Sequence, residues 1–250
     1  MTAIIAGRTK SGNFIVTDAM ASGTKKTRSY KDCKLDDKIL PLQNPKCYCS
    51  LVGDATVLDG IQALDSWNDN LNASVDFSNP DVMRDALIAT DKYWELLYKD
   101  GRAKPVNGFA TVYFVSRQKV FEYVVTRKRD KYVIDNFRLF RRNEVVLNYA
   151  SLTKKINHFE YPSERLYENA IRIIEDAHQW CKEGKEPYTL EYDFNNRFCG
   201  VVFSSVQNER EKLYSPFRTL SESIASEHLT PREFWNAIDN RRFRWSPTKE

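Results

Sequence analysis

Glycine and proline are scarce, nine of each in 250 residues, which excludes a collagen-like or low-complexity disordered chain. Histidine is scarcer still. His158, His178 and His228 stand far apart, with no HExxH and no paired His/Cys spacing, so neither a metal nor another cofactor is expected. The five cysteines (Cys33, Cys47, Cys49, Cys181 and Cys199) are odd in number and form no CxxC pair; buried free thiols are the expectation. No apolar run approaches the roughly 18–20 residues of a membrane span. The stretch Met1–Arg8 holds a continuous run of only four apolar residues, Ala3–Ala6, before charge returns, so no secretory signal is expected and the location expected is cytoplasmic. An excess of one charge is missing too. The 38 Lys and Arg against 34 Asp and Glu leave +4, which argues against nucleic acid as a partner. Finally, there is no GxSxG elbow, no SxxK and no phosphate-cradling glycine loop.

What is present is 42% apolar and 29% charged residues, ordinary for a globular protein. The length fits one domain over residues 1–250, with a helical extension and tail from about 215 onward. Ala3–Ala6 and Phe14–Thr17 are apolar on consecutive positions and flank the turn chemistry of Lys10-Ser11-Gly12-Asn13, which predicts a hairpin covered on both faces. Gly23–Lys26 reads as a polar loop. Tyr48–Val52 reads as a buried strand ending at Gly53. Asp54 can cap a helix bearing Val57, Leu58, Ile61 and Leu64 on one face. Asn79 and Pro80 open a second helix, which Gly101 stops. Strands are predicted at Phe109–Val115, Lys119–Val125, Tyr132–Ile134 and Glu144–Tyr149. A helix follows Pro162-Ser163, then strands at Thr189–Phe194 and Phe198–Val206 around Asn195-Asn196. Thr230-Pro231-Arg232-Glu233 is a capping box for a last helix. Elements arriving in blocks argue for an α+β fold with antiparallel sheets.

The chemistry concentrates at the chain start. Thr2 follows Met1, and a residue that small permits removal of the methionine. The freed α-amine, titrating near ~7.7–8.0, can serve as general base for the hydroxyl of its own residue. The hairpin returns Asp18 toward Thr2, and Lys34 lies on the next extended segment. A lysine beside a hydroxyl favours its deprotonated form, and a carboxylate fixes that lysine.

Thr2, the segment Val16–Ser22, Lys34-Leu35 and Tyr48–Ala55 together resemble a proteasome β-type subunit of the N-terminal-nucleophile hydrolase family, threonine peptidase type. The spacing of Thr2, Asp18 and Lys34 matches the family's catalytic threonine, acidic residue and lysine without a gap. The resemblance implies a four-layer αββα sandwich of two antiparallel sheets, peptide-bond hydrolysis by Thr2, self-association into stacked rings, and an ATP-dependent unfoldase partner acting on peptide or unfolded protein. It further implies that Ser22 pairs with the substrate backbone. Ser50 matches the glycine whose N–H helps form the oxyanion hole, and Ser151 stands in for a supporting serine.

The second half departs from the family pattern. Tyr149-Ala150-Ser151 replaces a Gly-Ser-Gly turn, and Lys182–Tyr188 replaces an Asp-x-x-Ser-Gly-Gly segment. Two alternatives therefore stand beside the peptidase: a catalytically inactive subunit of the same fold serving structure or assembly, and an amidase acting on a small amide. A basic segment (Arg127, Lys128, Arg129, Lys131, Arg138, Arg141 and Arg142) reads as solvated hairpin loops ahead of a protein-binding patch. Arg241–Trp245 reads as part of a terminal tail.

Overall fold

The computed structural model describes residues 3–22, 33–35, 38–42, 46–70, 75–99, 108–129, 131–149, 152–182, 198–206 and 211–214. Several expectations fall outside them: the Gly23–Lys26 loop, the helix stop at Gly101, the strand at Thr189–Phe194 with its Asn195-Asn196 turn, the Thr230 capping box, and the extension from 215.

The consecutive apolar residues at the chain start form the expected hairpin. Ala3–Arg8 (β1) pairs with Gly12–Asp18 (β2) in antiparallel register, Ile4 opposite Thr17. The turn is tighter than the sequence suggests, because Gly12 and Asn13 already belong to β2. Thr9 closes it: its N–H donates to the Gly12 carbonyl, and its hydroxyl oxygen accepts from the N–H groups of Ser11 and Gly12. Every residue of β2 is buried. The reason is that its two faces, like those of β1, enter different cores. Ile4, Ala6 and Ile15 point one way, and Ala3, Ile5, Phe14 and Val16 the other.

The hairpin sits at the centre of a six-stranded antiparallel sheet. Beside β1 lie Glu144–Tyr149 (β10) and then Leu152–Ile156 (β11); beside β2 lie Phe198–Ser204 (β12) and then Lys212–Tyr214 (β13). A second antiparallel sheet has five strands in sequence order: Leu40–Leu42 (β5), Cys47–Gly53 (β6), Phe109–Val115 (β7), Val120–Lys128 (β8) and Lys131–Leu139 (β9). Met20–Ser22 (β3) and Cys33–Leu35 (β4) make a separate two-stranded ribbon. The edge strands β11 and β13 were not legible in the sequence, and β8 and β9 run longer than expected. The polar residues there take strand geometry from their pairing partners rather than from an apolar pattern.

Three cores separate four layers. Thr56–Asn70 (α1) and Pro80–Lys99 (α2) bury Val57, Ile61, Met83 and Leu87 against Cys49, Leu51, Val112 and Phe114 of the five-stranded sheet. Tyr48, Val52, Tyr113 and Val115 from that sheet's other face meet Ile4, Ala6, Ile15 and Val201 of the six-stranded sheet. Leu166–Lys182 (α3), entered through a 3₁₀ turn at Ser163–Arg165, covers that sheet's far side with Leu166, Tyr167, Ala170 and Ile174. The fold is thus an α+β four-layer αββα sandwich, the layering that the resemblance implies. Cys47, Cys49 and Cys199 are buried free thiols, as expected.

The helix starts follow the sequence. Asp54 accepts the N–H and hydroxyl of Thr56 at 3.1 and 2.8 Å, and Asn79 accepts the N–H of Asp81 at 3.0 Å. Gly53 stands at φ +114°, where a Cβ would lie 2.1 Å from the Phe109 carbonyl oxygen; only glycine turns the chain out of β6 so sharply. Gly60 lets α1 and α2 approach, since a Cβ there would meet Thr90 Oγ1 at 2.1 Å.

Part of the basic segment is internal rather than solvated. Arg138 bonds Glu122 at 2.9 Å and also Glu144, whose second oxygen accepts the Arg141 N–H at 2.7 Å. The guanidinium thus joins β8 and β9 of one sheet to β10 of the other. Burial pushes the Glu122 carboxyl up, with Arg138 opposing the rise. Arg138→Met strands both carboxylates and is expected to destabilise the fold by about 2–3 kcal/mol at pH 8, reduced from the full cost of a broken buried pair because Arg138 is partly exposed. Burial already raises Glu122, so its protonation relieves the loss and the deficit narrows toward pH 5. Urea unfolding at the two pH values reads both effects.

Candidate active site at the start of the first strand

The hairpin register decides what stands beside the chain start. Ile4 opposite Thr17 brings Ala3 level with Asp18, and Asp18 Oδ1 accepts the Ala3 N–H at 2.6 Å. That nitrogen belongs to the peptide bond joining Thr2 to Ala3, so the carboxylate stands one peptide from Thr2. Asp18 is 0% exposed and faces Phe198 in the β12 register. Its other oxygen, Oδ2, lies 2.8 Å from Lys38 Nζ.

Lys38 lies two residues before the start of β5, at the edge of the five-stranded sheet, and its side chain is 6% exposed. Its neighbour Ile39 is fully buried in the core between the sheets. The lysine therefore reaches across the layers to a carboxylate on the opposite sheet. Charge-assisted bonds of this kind are short and strong, and removal from water makes each partner depend on the other.

Thr2 and Ser151 lie outside the described residues. Tyr149 is opposite Ala3 in one register and opposite Leu152 in another. Lys34 sits in β4 opposite Ala21, and Ser22 sits in β3 opposite Cys33; their side chains are outside the described set. Among the described residues Lys38 is a lysine bonded to Asp18, and sequence reading did not single it out. The available signal was its position at the mouth of Ile39-Leu40-Pro41-Leu42, where a lysine must either escape to solvent or find a buried partner.

Ser50 occupies the middle of β6 opposite Tyr113 and is 0% exposed. Tyr48 and Val52 flank it at strand spacing and belong to the core between the sheets, so Ser50 faces the six-stranded sheet. Its hydroxyl has no hydrogen-bond partner among the described residues. Its backbone, not its side chain, is what the resemblance assigns to the oxyanion hole.

Beyond Gly53, Asp54 also accepts the hydroxyl of Tyr132, whose phenol is pushed up to about 12 by burial and by Asp54. Asp59, in the first turn of α1, is raised to about 7 by burial and then by the nearby Asp54. A carboxyl whose folded pKa exceeds its unfolded value weakens the fold as pH rises from the unfolded value through the folded one. Asp59→Asn is expected to raise stability at pH 8 by on the order of 2 kcal/mol, more than the roughly 0.3–1 kcal/mol lost from the helix dipole. At pH 4 it should change little. Urea midpoints at the two pH values measure the difference.

No protein-family model matches the chain, and no curated protein matches it in sequence. Solved structures similar to it include Anbu (ancestral beta-subunit) from Yersinia bercovieri, 11% identical over 99% of each chain with a TM-score of 0.47. Eukaryotic HslV from Trypanosoma brucei is 13% identical over 80% of this chain and 98% of its own, with a TM-score of 0.40. The helical assembly of the Anbu complex from Pseudomonas aeruginosa gives 8% identity over 95% of this chain and 94% of its own, with a TM-score of 0.46.

Proposed function

We propose that the chain is a proteasome-like N-terminal-nucleophile hydrolase that cleaves peptide bonds with Thr2 once Met1 has been removed. The observation that carries this reading is the buried Asp18, bonded at once to the amide that follows Thr2 and to Lys38. A fold gains little from placing an ion pair there for stability alone, since a well-packed apolar pair often does as well. Beside a terminal threonine a buried carboxylate has a use: a lysine ammonium favours the alkoxide, the role the resemblance gives Lys34, and Asp18 holds the ammonium groups gathered there, Lys38's among them.

In this mechanism the neutral α-amine of Thr2 takes the hydroxyl proton as Oγ attacks the substrate carbonyl. The tetrahedral oxyanion is met by backbone N–H donors, Ser50's among them. The protonated amine then passes its proton to the leaving nitrogen, the C–N bond breaks, and an ester to Thr2 remains. Water, deprotonated by the same amine, attacks that ester; the proton returns to Oγ, releasing the carboxylic acid and restoring Thr2. Ser151 and Ser22 support the amine and the substrate backbone as the resemblance implies. Self-association into rings, and an ATP-dependent partner feeding them, belong to the same reading.

Intact-mass measurement, followed by exposure to a threonine-directed electrophile, tests it. The expected result is a mature chain lighter by one methionine that takes up one adduct. Retention of Met1 with no adduct would overturn the catalytic reading and leave a non-catalytic subunit of this fold. Native mass spectrometry showing a monomer or dimer that still takes the adduct would shift the substrate to a small amide.

A further inference from the structure

The ends of β1 and β2 remote from Asp18 carry a second feature, which the hydrolytic reading does not use. Here the β1–β2, β7–β8 and β9–β10 turns converge with the end of β12 around a cleft of about 300 Å³. Arg8, Lys10, Arg117 and Arg142 line it, and no carboxylate does among the described lining residues. Since β2 spans seven residues, this cleft is roughly 20 Å from Asp18 at about 3.3 Å per residue. The two places are distinct.

The cations are mounted on braced backbone. Asn13, 6% exposed, donates through Nδ2 to the carbonyls of Ser116 and Arg117 at 2.9 and 3.1 Å. Ser116 closes the β7–β8 turn by accepting the Lys119 N–H on its hydroxyl. The Ser205 N–H donates to the Ser11 carbonyl at 2.9 Å, tying the end of β12 to the first turn. Arg8 reaches the Phe140 carbonyl at 3.3 Å, drawing the β9–β10 turn inward. Among the described residues, none of Arg8, Lys10 and Arg142 forms an ion pair. Three like charges, those of Arg8, Lys10 and Arg142, gathered on fixed turns repel one another unless an anion sits among them. Elsewhere the chain does otherwise: Lys128 is paired with Asp135, and Arg138 with Glu122 and Glu144.

We infer that this cleft is a binding site for a small phosphoryl anion carrying two adjacent phosphates, either free pyrophosphate or the phosphates of a nucleoside diphosphate. Arginine forks match phosphate oxygens in pairs. A single carboxylate would leave most of the charge of Arg8, Lys10 and Arg142 uncompensated, whereas adjacent phosphates carry the larger charge. The volume is at the small end of ligand cavities, fitting a compact anion. The inference is independent of the hydrolytic mechanism.

Isothermal titration of the full chain in 50 mM NaCl, with pyrophosphate, ADP and adenosine in turn, tests it. One saturable site for pyrophosphate and for ADP is expected, with none for adenosine. Equal affinities identify the phosphates as the whole determinant, and tighter ADP binding identifies a nucleotide as the ligand. Lys10→Gln/Arg142→Gln alters two exposed side chains, leaves the fold intact by circular dichroism, and should weaken binding about tenfold, or 1.4 kcal/mol. Lys128→Gln, a cation outside the cleft, should not. Absence of saturable binding, unchanged affinity in the double variant, or an equal loss in Lys128→Gln would overturn the assignment. Failure of the double variant to fold would also overturn it, since these side chains are held to bind an anion and not to brace the turns.

Discussion

Lys38→Met is expected to lower stability by about 3–5 kcal/mol, the cost of leaving a buried carboxylate without its cation. Asp18 is fully buried, and among the described residues the Ala3 N–H donates to one of its oxygens and the Lys38 ammonium to the other. Methionine keeps most of the volume and apolar length of lysine, so the loss reports charge rather than packing. Asp18→Asn should also destabilise the fold, by stranding the ammonium. The double variant should recover part of the sum, with a coupling between the sites on the order of 1–3 kcal/mol. Urea midpoints of the four proteins close the cycle. A Lys38→Met protein that unfolds at the parent's urea concentration would mean the pair does not hold the two sheets together at this end.

Thr2→Ala is expected to abolish peptide hydrolysis, by at least about 10³-fold in kcat/KM, while leaving the urea midpoint where it was. Alanine is as small as threonine at the second position, so methionine removal should proceed alike in both proteins. What disappears is the attacking oxygen alone. Thr2→Ser keeps both oxygen and amine and should retain measurable activity. The contrast with Lys38→Met is the informative part: that change is expected to reduce stability and turnover together, whereas Thr2→Ala separates them. A peptide library cleaved equally by parent and Thr2→Ala would remove Thr2 from the chemistry.

The comparison of sequence with structure divides along a physical line. Wherever a strand or helix declares itself through its own residues, the sequence was sufficient. Ala3–Ala6 and Phe14–Thr17 announced strands buried on both faces because every position but Thr17 is apolar. Phe109–Val115 and Glu144–Tyr149 were bounded correctly for the same reason. Asp54 and Asn79 marked helix starts because their side chains satisfy local N–H groups, a bond needing no distant partner. The block order of elements was enough for an α+β fold.

Other features depend on partners far along the chain. Leu152-Thr153-Lys154-Lys155-Ile156 is a strand because β10 offers it a ladder, and its exposed lysines suit a sheet edge. Placement of β10 beside β1, more than 130 residues apart in sequence, has no local signature at all. The acidic side of the candidate site was legible, since a short hairpin necessarily returns Asp18 toward the chain start. Its basic side was legible only in part: the resemblance pointed to Lys34, whose side chain is outside the described set, while the pairing of β5 with β6 delivers Lys38, which no local pattern singled out, to the opposite sheet. Local composition and periodicity decided which segments are strands and helices and that an acid lies beside the first strand. Only the stacking of two sheets brought Lys38 to it, because a buried charge takes its partners from whatever the layers bring within 3 Å, not from its neighbours along the chain.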